Sequence, residues 1–251
     1  MNEPELTIVI PTYNEGDIIV ASLKRLSTTL GDLCKQTEVI IADDGTDDLP
    51  AVVEQCKNSL GFMAVKVMRN SPALGKGRSI VKAFNASRGA ITGFIDVDFS
   101  VDPKFIHDAV REIKKGNDSC IGSRVGDRFK SDRSLMTSIL ATTFRWFYRH
   151  LLFGKDRNFT DTQCGFKFFK LEVAWELWKD LVAPDGLADL EVLVKAVKLG
   201  YKISELKVPR INDRRGKRRL SRIFVHETVA LGRIFCKYRL GWNIKGNPLG
   251  V

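Results

Sequence analysis

Two aspartates separated by one residue are the side chains of this sequence best suited to hold a divalent cation. Asp96 and Asp98 lie in DVDFS (residues 96–100), directly after an apolar stretch that is typical of a buried strand. At the end of a strand the backbone can turn so that both carboxylates approach one ion. Hard oxygen ligands suit Mg²⁺ or Mn²⁺, which bind one or two carboxylates together with substrate phosphates. The pattern predicts such a site, and the alternative is a loop with two solvated aspartates.

Polar segments also follow three other apolar stretches. They are PTYNEGD (residues 11–17), DDGTDD (43–48) and RNSPALGKGR (69–78). One such turn would carry little meaning, because Asp and Gly favour turns. Several that meet at one edge of a sheet predict a shared binding site. Lys76, in the third segment, is either a phosphate contact or the start of a helix, and its spacing is not that of a P-loop.

The elements that must position these segments are apolar stretches that alternate with helical patterns. The stretches cover residues 6–11, 38–43, 64–69 and 89–96, and the helical patterns cover 17–30, 49–59 and 77–87. Strands that alternate with helices predict an α/β fold with a mostly parallel central sheet flanked by helices. Ligands of such sheets bind beyond the carboxyl ends of the strands, where the polar segments are expected to meet.

The charge of the chain is unevenly distributed. The 251 residues are 44% hydrophobic and 28% charged, as in a globular protein, and carry a net charge of +10. Residues 210–239 hold ten Lys or Arg and two acidic residues, and residues 128–157 hold seven and two. Basic segments of this kind suit phosphates, nucleic acid or an anionic membrane surface.

Signals for a membrane span or for secretion are weak in this sequence. The longest run without a charged residue is eleven residues (134–144), whereas a span needs about 17–25. The first residues lack a basic region followed by an apolar stretch. The five cysteines contain no CxxC pair, which favours reduced thiols. We therefore expect no span and no signal peptide, and a cytosolic location.

Taken together, the motifs resemble a known family. In order they are PTYNE, ADDGTDD, GKG, DVD, GSR (residues 122–124), DTQCGFKFF (161–169) and DRRGKRRLS (213–221). They resemble family 2 glycosyltransferases, which have the nucleotide-sugar-binding A-type fold, and among them the dolichyl-phosphate (polyprenyl-phosphate) glucosyl- and mannosyltransferases. The resemblance covers residues 6–221, and its specificity comes from the order and spacing of the motifs. DTQCGFK is the most distinctive and favours the glucosyltransferase branch.

This resemblance implies a role for each matching position. The nucleotide sugar would be bound by Pro11, Tyr13, Glu15, Asp43, Asp44, Lys76 and Asp96, with Tyr13 stacked near the base or ribose. A Mg²⁺ or Mn²⁺ ion would be held by Asp96, Asp98 and Ser100. The catalytic group would comprise Asp98, Arg124, Arg214 and Lys217, with Arg124, Lys167 and Arg214 as candidates for binding the acceptor phosphate. Lys217 lies in the loop that closes over the site in this family.

Two motifs depart from the pattern of the family. Its commonest metal motif is DADLQ, whereas DVDFS places Ser100, a shorter neutral oxygen ligand, where the family has Gln. The late loop of the family carries Gly, Ser and Lys after DR, whereas this chain has RRGKRR (residues 214–219). The third protein ligand of the metal and the basic residue that touches phosphate are therefore left open.

The chemistry of the acceptor decides whether a general base is needed. A nucleoside diphosphate leaving group must be met by preorganised cations, which a divalent ion and arginines can supply. A lipid phosphate is already an anion and needs no strong base, in keeping with three histidines that lie in no motif. A sugar hydroxyl would need a carboxylate. The candidates Asp161, Asp189 and Glu191 are explained equally well by helix capping or a solvated helix face.

Both basic segments coincide with aromatic helical patterns. In residues 220–239 apolar positions at helical spacing are flanked by Lys and Arg, and residues 135–153 are similar. Such helices can lie in a membrane interface, or they can pack on the sheet as ordinary amphipathic helices. We predict a catalytic domain at 1–215, with a nucleotide-binding half (about 1–125) and an acceptor half (about 126–215). Residues 216–251 are predicted to be a basic membrane-associating tail, which places the enzyme at the cytoplasmic face of a membrane.

The sequence therefore predicts inverting transfer of a hexose from UDP-glucose or GDP-mannose to dolichyl or polyprenyl phosphate. The alternative is a soluble family 2 transferase that acts on a sugar hydroxyl of a glycan. A nucleic-acid-binding protein is a third possibility, but the chain lacks a zinc or RNA-recognition signature. The acidic sheet edge would also repel a phosphate backbone unless metal were bound. No nucleic acid partner is expected.

Overall fold

The computed structural model describes residues 3–125, 152–153, 159–183, 186–209 and 220–242. Within these ranges seven strands form one sheet. They are β1 (Leu6–Thr12), β2 (Thr37–Asp43), β3 (Ala64–Arg69), β4 (Ile91–Ile95), β5 (Ser119–Val125), β6 (Phe166–Lys170) and β7 (Ile203–Pro209). Their order across the sheet is β3-β2-β1-β4-β6-β5-β7.

Helices connect most of the strands. They are α1 (Gly16–Leu30), α2 (Leu49–Cys56), α3 (Lys76–Asn85), α4 (Phe105–Lys114), α5 (Leu171–Trp178), α6 (Ala188–Lys198) and α7 (Leu220–Arg239). Short 3₁₀ turns, Gly31–Gln36 and Lys57–Ser59, follow α1 and α2. The predicted α/β fold with helices flanking a central sheet is confirmed, and the predicted bounds of the first four strands lie within two residues of those observed.

The sheet is mostly parallel, with one exception. β1, β2, β3 and β4 run parallel to their neighbours, and β5 runs parallel to β7. β6 is antiparallel to both β4 and β5 and lies between them. This reversed strand joins the first half of the sheet to the second, and no periodicity in the sequence announces it.

The alternation of side chains along the strands explains why the strands are apolar throughout. Ile8 and Ile10 of β1 face one side of the sheet, where they pack with α1, α2 and α4. Val9 of β1 and Phe94 of β4 face the other side, where they pack with α3, α5 and α6. Because helices cover both faces, every position of β2 and β4 is buried, as expected for parallel sheets.

The second half of α7 packs against the domain. Ala230, Ile234 and Tyr238 are buried together with side chains of α6 and with Leu152 and Phe153. Leu231 and Phe235 are partly buried in the same cluster. The apolar positions between Ala230 and Tyr238, which could have met a membrane, therefore face the protein itself, whereas Val229 is 54% exposed. None of the helices in the described ranges is long and apolar enough to cross a membrane.

The carboxylate of Glu191 links α6 to its surroundings. It is fully buried and accepts hydrogen bonds from the backbone N–H groups of Val182 (2.9 Å) and Ala183 (2.8 Å). The hydroxyl of Tyr238 donates a third, at 3.0 Å. Contact with Glu191 raises the pKa of the Tyr238 phenol, although burial is the larger cause. Glu191 thus connects the segment before α6 to the end of α7, because both donate hydrogen bonds to its carboxylate.

We expect Glu191→Ala to lower the free energy of unfolding by about 3 kcal/mol, because it leaves buried donors without an acceptor and each costs about 1–3 kcal/mol. Urea denaturation followed by circular dichroism measures this. Glu172→Ala, at an exposed position of α5, is the matched control and should change stability by less than about 0.5 kcal/mol. Equal stability of the two variants would contradict this role.

Candidate active site

The carboxyl ends of the first strands meet at one edge of the sheet. Thr12 of β1 lies opposite Asp43 of β2, and Asp43 lies opposite Arg69 of β3. The polar segments after these strands are therefore neighbours, as the alternation of strands and helices predicts. Pro11 lies near the end of β1, and Tyr13 follows that strand with 65% of its surface exposed. An aromatic ring is thus available at the rim of the site.

Asp43 is fully buried and is held by the chain itself. Its Oδ1 accepts hydrogen bonds from Thr12 Oγ1 (3.1 Å) and from the backbone N–H of Gly45 (3.0 Å). Its Oδ2 accepts one from Arg69 Nε at 2.7 Å. Arg69 also contacts Asp47, at 3.3 Å. Because these donors occupy the carboxylate, Asp43 places the Arg69 guanidinium at the edge of the site, and its direct contact with a nucleotide stays a prediction.

Asp44 organises the segment that leads into α3. Its Oδ1 accepts hydrogen bonds from Asn70 Nδ2 and from Ser79 Oγ, both at 2.8 Å. Its Oδ2 accepts one from the backbone N–H of Gly75 at 2.7 Å. Gly75 has φ +87°, a conformation that glycine adopts without strain. Asp44 therefore fixes the backbone of Gly75, and with it the position from which the Lys76 side chain extends.

Lys76 reaches from the start of α3 to the first aspartate of the DVD segment. Its Nζ donates to Asp96 Oδ1 at 2.6 Å and lies 5.4 Å from the centre of the Phe94 ring. Desolvation lowers the pKa of Lys76, but the charges of Asp96 and Asp189 outweigh it and raise the pKa overall. The ammonium is therefore charged and paired, and the predicted contact of Lys76 with a nucleotide sugar stays a prediction.

A glycine lets a second segment of the chain approach Asp96. The backbone N–H of Asp96 donates to the carbonyl of Gly165 at 3.1 Å. A Cβ on Gly165 would lie 1.9 Å from Asp96 Oδ2, far inside van der Waals contact. Only glycine can occupy this position while Asp96 keeps its place. Gly165 lies within DTQCGFK, so that motif carried a signal for it, although sequence reasoning did not single it out.

The peptide between the two aspartates is held from behind by α1. Ser22 Oγ donates to the carbonyl of Val97 at 2.7 Å. After Asp98 the chain turns through Phe99, whose φ of +49° is unusual for a residue with a side chain. The backbone N–H of Ser100 donates to Asp98 Oδ1 at 3.0 Å. Sequence reasoning missed Ser22, which lies far from the motif in the chain.

The residues at this turn fit a hard divalent cation. Ser100 Oγ is buried, and no described residue forms a hydrogen bond with it. An oxygen in this state, beside two aspartates, suits the oxygen ligands that Mg²⁺ and Mn²⁺ take. The described residues contain no cluster of three His, Cys, Asp or Glu side chains able to hold a metal. The donor set therefore matches an ion that completes its coordination with substrate phosphates and water.

Glu15 reports the concentration of negative charge around this turn. Burial is the main cause that raises its pKa, from 4.5 to about 7, against a lowering hydrogen bond from the N–H of Tyr13. The charges of Asp98 and Asp96 raise it further. The Glu15 carboxyl group is therefore close enough to Asp96 and Asp98 for their charges to affect its pKa. Positive charge brought to this point would relieve the repulsion.

Arg124 and Asp161 form a two-pronged ion pair. Arg124 Nε and Nη2 lie 2.6 and 3.2 Å from the two carboxylate oxygens, and Nη2 also donates to the carbonyl of Gln163 at 2.9 Å. Burial would raise the pKa of Asp161, but Arg124 outweighs it and lowers the pKa. Asp161 is thus an ionised partner that orients Arg124.

Lys167 and Asp189 form a second, deeper pair. The side chain of Lys167 is fully buried, and its Nζ lies 2.8 Å from Asp189 Oδ1 and 2.7 Å from the carbonyl of Cys164. The same Nζ lies 5.6 Å from the centre of the Phe94 ring. Lys167 thus neutralises Asp189 at the start of α6. Its predicted role at an acceptor phosphate stays a prediction.

Two predicted site residues, Arg214 and Lys217, lie outside the described residues. The other predicted positions gather at the carboxyl edge of the sheet or directly beneath it, with the exception of Glu191, which lies one turn into α6. Sequence reasoning missed Arg69, which is the last residue of β3 and forms an ion pair with Asp43. Basic residues at strand ends are common surface features. The signal that could have identified Arg69 was its position at the start of the polar segment 69–78.

Comparison with curated proteins finds relatives at low identity. Over 81% of the chain it is 28% identical to the glycosyltransferase AglD of Haloferax volcanii, and covers 32% of that protein. It is 28% and 29% identical to dolichyl-phosphate beta-glucosyltransferases of Dictyostelium discoideum and Saccharomyces cerevisiae, again over 81% of the chain, and covers 65% and 66% of them. The chain thus spans from about a third to about two thirds of the length of these relatives.

Solved structures share the fold. Glucosyl-3-phosphoglycerate synthase of Mycobacterium tuberculosis, in complex with Mn²⁺, UDP and glucosyl-3-phosphoglycerate, matches with a TM-score of 0.66 at 21% identity, over 94% of this chain and 80% of that one. A mannosyltransferase of Pyrobaculum calidifontis, in complex with GDP-mannose and Mn²⁺, matches with a TM-score of 0.63 at 18% identity, over 99% and 67%. These likenesses support the predicted A-type glycosyltransferase fold.

A sequence model of one family, described as glycosyl transferase family 2, matches residues 7–178. The matched region holds β1 to β4, the DVD segment, the Arg124–Asp161 pair and the antiparallel strand β6. Because the match covers well over half of the chain and includes the elements that build the site, this protein belongs to glycosyl transferase family 2.

Proposed function

We propose that this chain transfers a hexose from a nucleoside diphosphate sugar to dolichyl or polyprenyl phosphate, with inversion at the anomeric carbon. The observation that carries the proposal is the state of the three candidate bases. Asp161 is bound to Arg124, Asp189 is bound to Lys167, and Glu191 accepts backbone N–H donors. An acceptor that is already an anion needs none of them as a base. The relatives named dolichyl-phosphate glucosyltransferases support the same acceptor.

The donor lies across the carboxyl edge of the sheet in this proposal. Tyr13 stacks on the base or ribose, and the Asp43–Arg69 pair borders the same end. Asp96, Asp98 and Ser100 hold Mg²⁺ or Mn²⁺, which supplies a positive charge for the diphosphate as it leaves. UDP-glucose is the favoured donor because of the DTQCGFK motif and the two glucosyltransferase relatives, and GDP-mannose is the alternative.

The acceptor phosphate needs cations close to the donor diphosphate, because two anions must approach each other. Arg124 is fixed by Asp161 and by the carbonyl of Gln163, so its guanidinium is preorganised beside the DVD turn. We assign it to the acceptor phosphate, together with Arg214 and Lys217. The lipid would bring the enzyme to the cytoplasmic face of a membrane, where the basic segments 128–157 and 210–239 meet anionic headgroups.

Transfer of radiolabelled sugar to a short polyprenyl phosphate tests the proposal. UDP-glucose and GDP-mannose are compared, each with and without Mg²⁺ or Mn²⁺. We expect an organic-extractable product from one donor only, and only with metal. Donor hydrolysis or binding without any lipid product would overturn the lipid acceptor. It would direct the search to hydroxyl acceptors, for which Asp189 would have to separate from Lys167.

We expect Asp98→Asn to lower kcat/KM by at least about 100-fold, because it removes one charge from the cation site that meets the leaving group. The lipid-transfer assay measures this. Asp32→Asn makes the same chemical change at an exposed position in the 3₁₀ turn after α1 and should leave kcat/KM within about twofold. Equal activities of the two variants would contradict the assignment.

We also expect Gly165→Ala to lower kcat/KM by at least about 100-fold, because its methyl group would displace the Asp96 carboxylate. Overpacking costs about 1–3 kcal/mol, so the fold should persist, which thermal unfolding checks. Gly232→Ala is the control, since its Cβ would meet nothing within 4 Å. A fully active Gly165→Ala enzyme would show that Asp96 is not needed where the structure places it.

A further inference from the structure

We propose that Lys76 is a built-in counter-ion of the metal site, which keeps divalent cations weakly bound until the donor diphosphate arrives. Its ammonium occupies Asp96 Oδ1, an oxygen that the incoming ion would take. The ion and the ammonium therefore compete for one carboxylate. When the donor binds, its phosphates would form an ion pair with the displaced ammonium, so that the metal ion could bind Asp96. This inference rests on the proposed function, since it presumes a metal-dependent nucleotide sugar donor.

The contact between the two side chains is close and directed. Lys76 Nζ and Asp96 Oδ1 are 2.6 Å apart, the distance of a charge-assisted hydrogen bond. The other oxygen of Asp96 faces Gly165. A cation that binds Asp96 through Oδ1 would therefore lie beside the ammonium on the same oxygen, and the two positive charges would repel each other.

The charges beneath the site already balance in pairs. Lys76 faces Asp96, and Lys167 faces Asp189 at 2.8 Å. Both ammonium groups lie within 6 Å of the centre of the Phe94 ring. These four side chains carry no net charge together. Lys76 and Lys167 thus cancel the charges of Asp96 and Asp189, and a divalent ion added alone is attracted mainly by the remaining carboxylates, such as Asp98.

Lys76 is built to be displaced and still remain at the site. Its backbone is anchored through the bond between Gly75 and Asp44, and through the bond from the N–H of Ser79 to the carbonyl of Gly75, at 3.0 Å. Its side chain is 43% exposed and has four flexible carbons. The ammonium can therefore swing toward solvent without disturbing α3. A diphosphate held by an ion at Asp96 would lie within its reach.

Lys167 differs from Lys76 in burial and in the number of groups that hold its ammonium in place. Its side chain is fully buried, and its Nζ is held by both Asp189 and the carbonyl of Cys164. The side chain of Lys76 is 43% exposed, and among the described residues Asp96 is the carboxylate that its ammonium contacts. The difference in burial indicates a structural ion pair in one case and an exchangeable one in the other.

Binding of Mn²⁺, followed by the electron paramagnetic resonance signal of the free ion, tests the proposal without any acceptor or transfer. Wild type, Lys76→Met and Lys76→Gln are titrated with Mn²⁺, first alone and then with saturating UDP or GDP. Without nucleotide we expect Lys76→Met to bind Mn²⁺ at least about tenfold more tightly than wild type. The variant lacks the ammonium that lies 2.6 Å from Asp96 Oδ1, and removing a unit positive charge so close to a divalent ion changes the affinity by more than about tenfold. Lys76→Gln should lie between. With nucleotide the advantage should disappear or reverse.

Lys24→Met, at an exposed position of α1, removes a charge away from the site and is the matched control for general electrostatics. Its Mn²⁺ affinity should stay within about twofold of wild type, since distant exposed charges are screened. Circular dichroism checks that each variant is folded. Equal or weaker Mn²⁺ binding by Lys76→Met without nucleotide, or no binding by any variant, would overturn the proposal. Loss of lipid transfer alone would overturn the proposed acceptor and leave this inference standing.

Discussion

The close approach of the Gly165 backbone to Asp96 is the contact on which the site depends. β4 ends just before Asp96, and the antiparallel strand β6 begins just after Gly165. The backbone bond between Asp96 and Gly165 continues the pairing of these two strands beyond their ends. Through it, the first four strands of the sheet are joined to the part of the chain that carries Arg124, Asp161 and Lys167. A side chain at residue 165 would displace the Asp96 carboxylate at the candidate site.

Around that contact the site is assembled from ion pairs whose members come from different elements. Arg69 meets Asp43, Lys76 meets Asp96, Arg124 meets Asp161, and Lys167 meets Asp189. A buried charge without a partner is costly, so each pair constrains the two elements that carry it. The pairs become more exposed from Lys167 toward Lys76. The deep pairs hold the framework, and the exposed pair lies where a cation and a diphosphate would enter.

The C-terminal helix illustrates how one pattern serves two purposes. An amphipathic helix with basic borders looks the same whether its apolar face meets a bilayer or a protein. In α7 the residues from Ala230 to Tyr238 meet α6, and Glu191 anchors the end of the helix through Tyr238. This helix extends the core beside α6.

The sequence by itself determined the α/β class, the first four strands and the edge at which their polar segments meet. It could do so because continuous apolar stretches that alternate with helical periodicity depend on local pattern. The order of the motifs from PTYNE to DTQCGFK also identified the family. The predicted metal site at Asp96 and Asp98 rests on their place at a strand end, which local pattern specifies, whereas the predicted role of Tyr13 rests on the resemblance to the family.

Only the tertiary structure decided which charges meet and which strand is reversed. The pairs Lys76–Asp96 and Arg124–Asp161 join residues 20 and 37 positions apart, and no local pattern encodes such distances. The same holds for Glu191, a candidate base by sequence that is a buried acceptor in the fold. Side chains of one type differ in function because burial and partners differ, and those are set when distant segments pack together. The reversal of β6 is likewise a property of the assembled sheet, and it places Gly165 against Asp96.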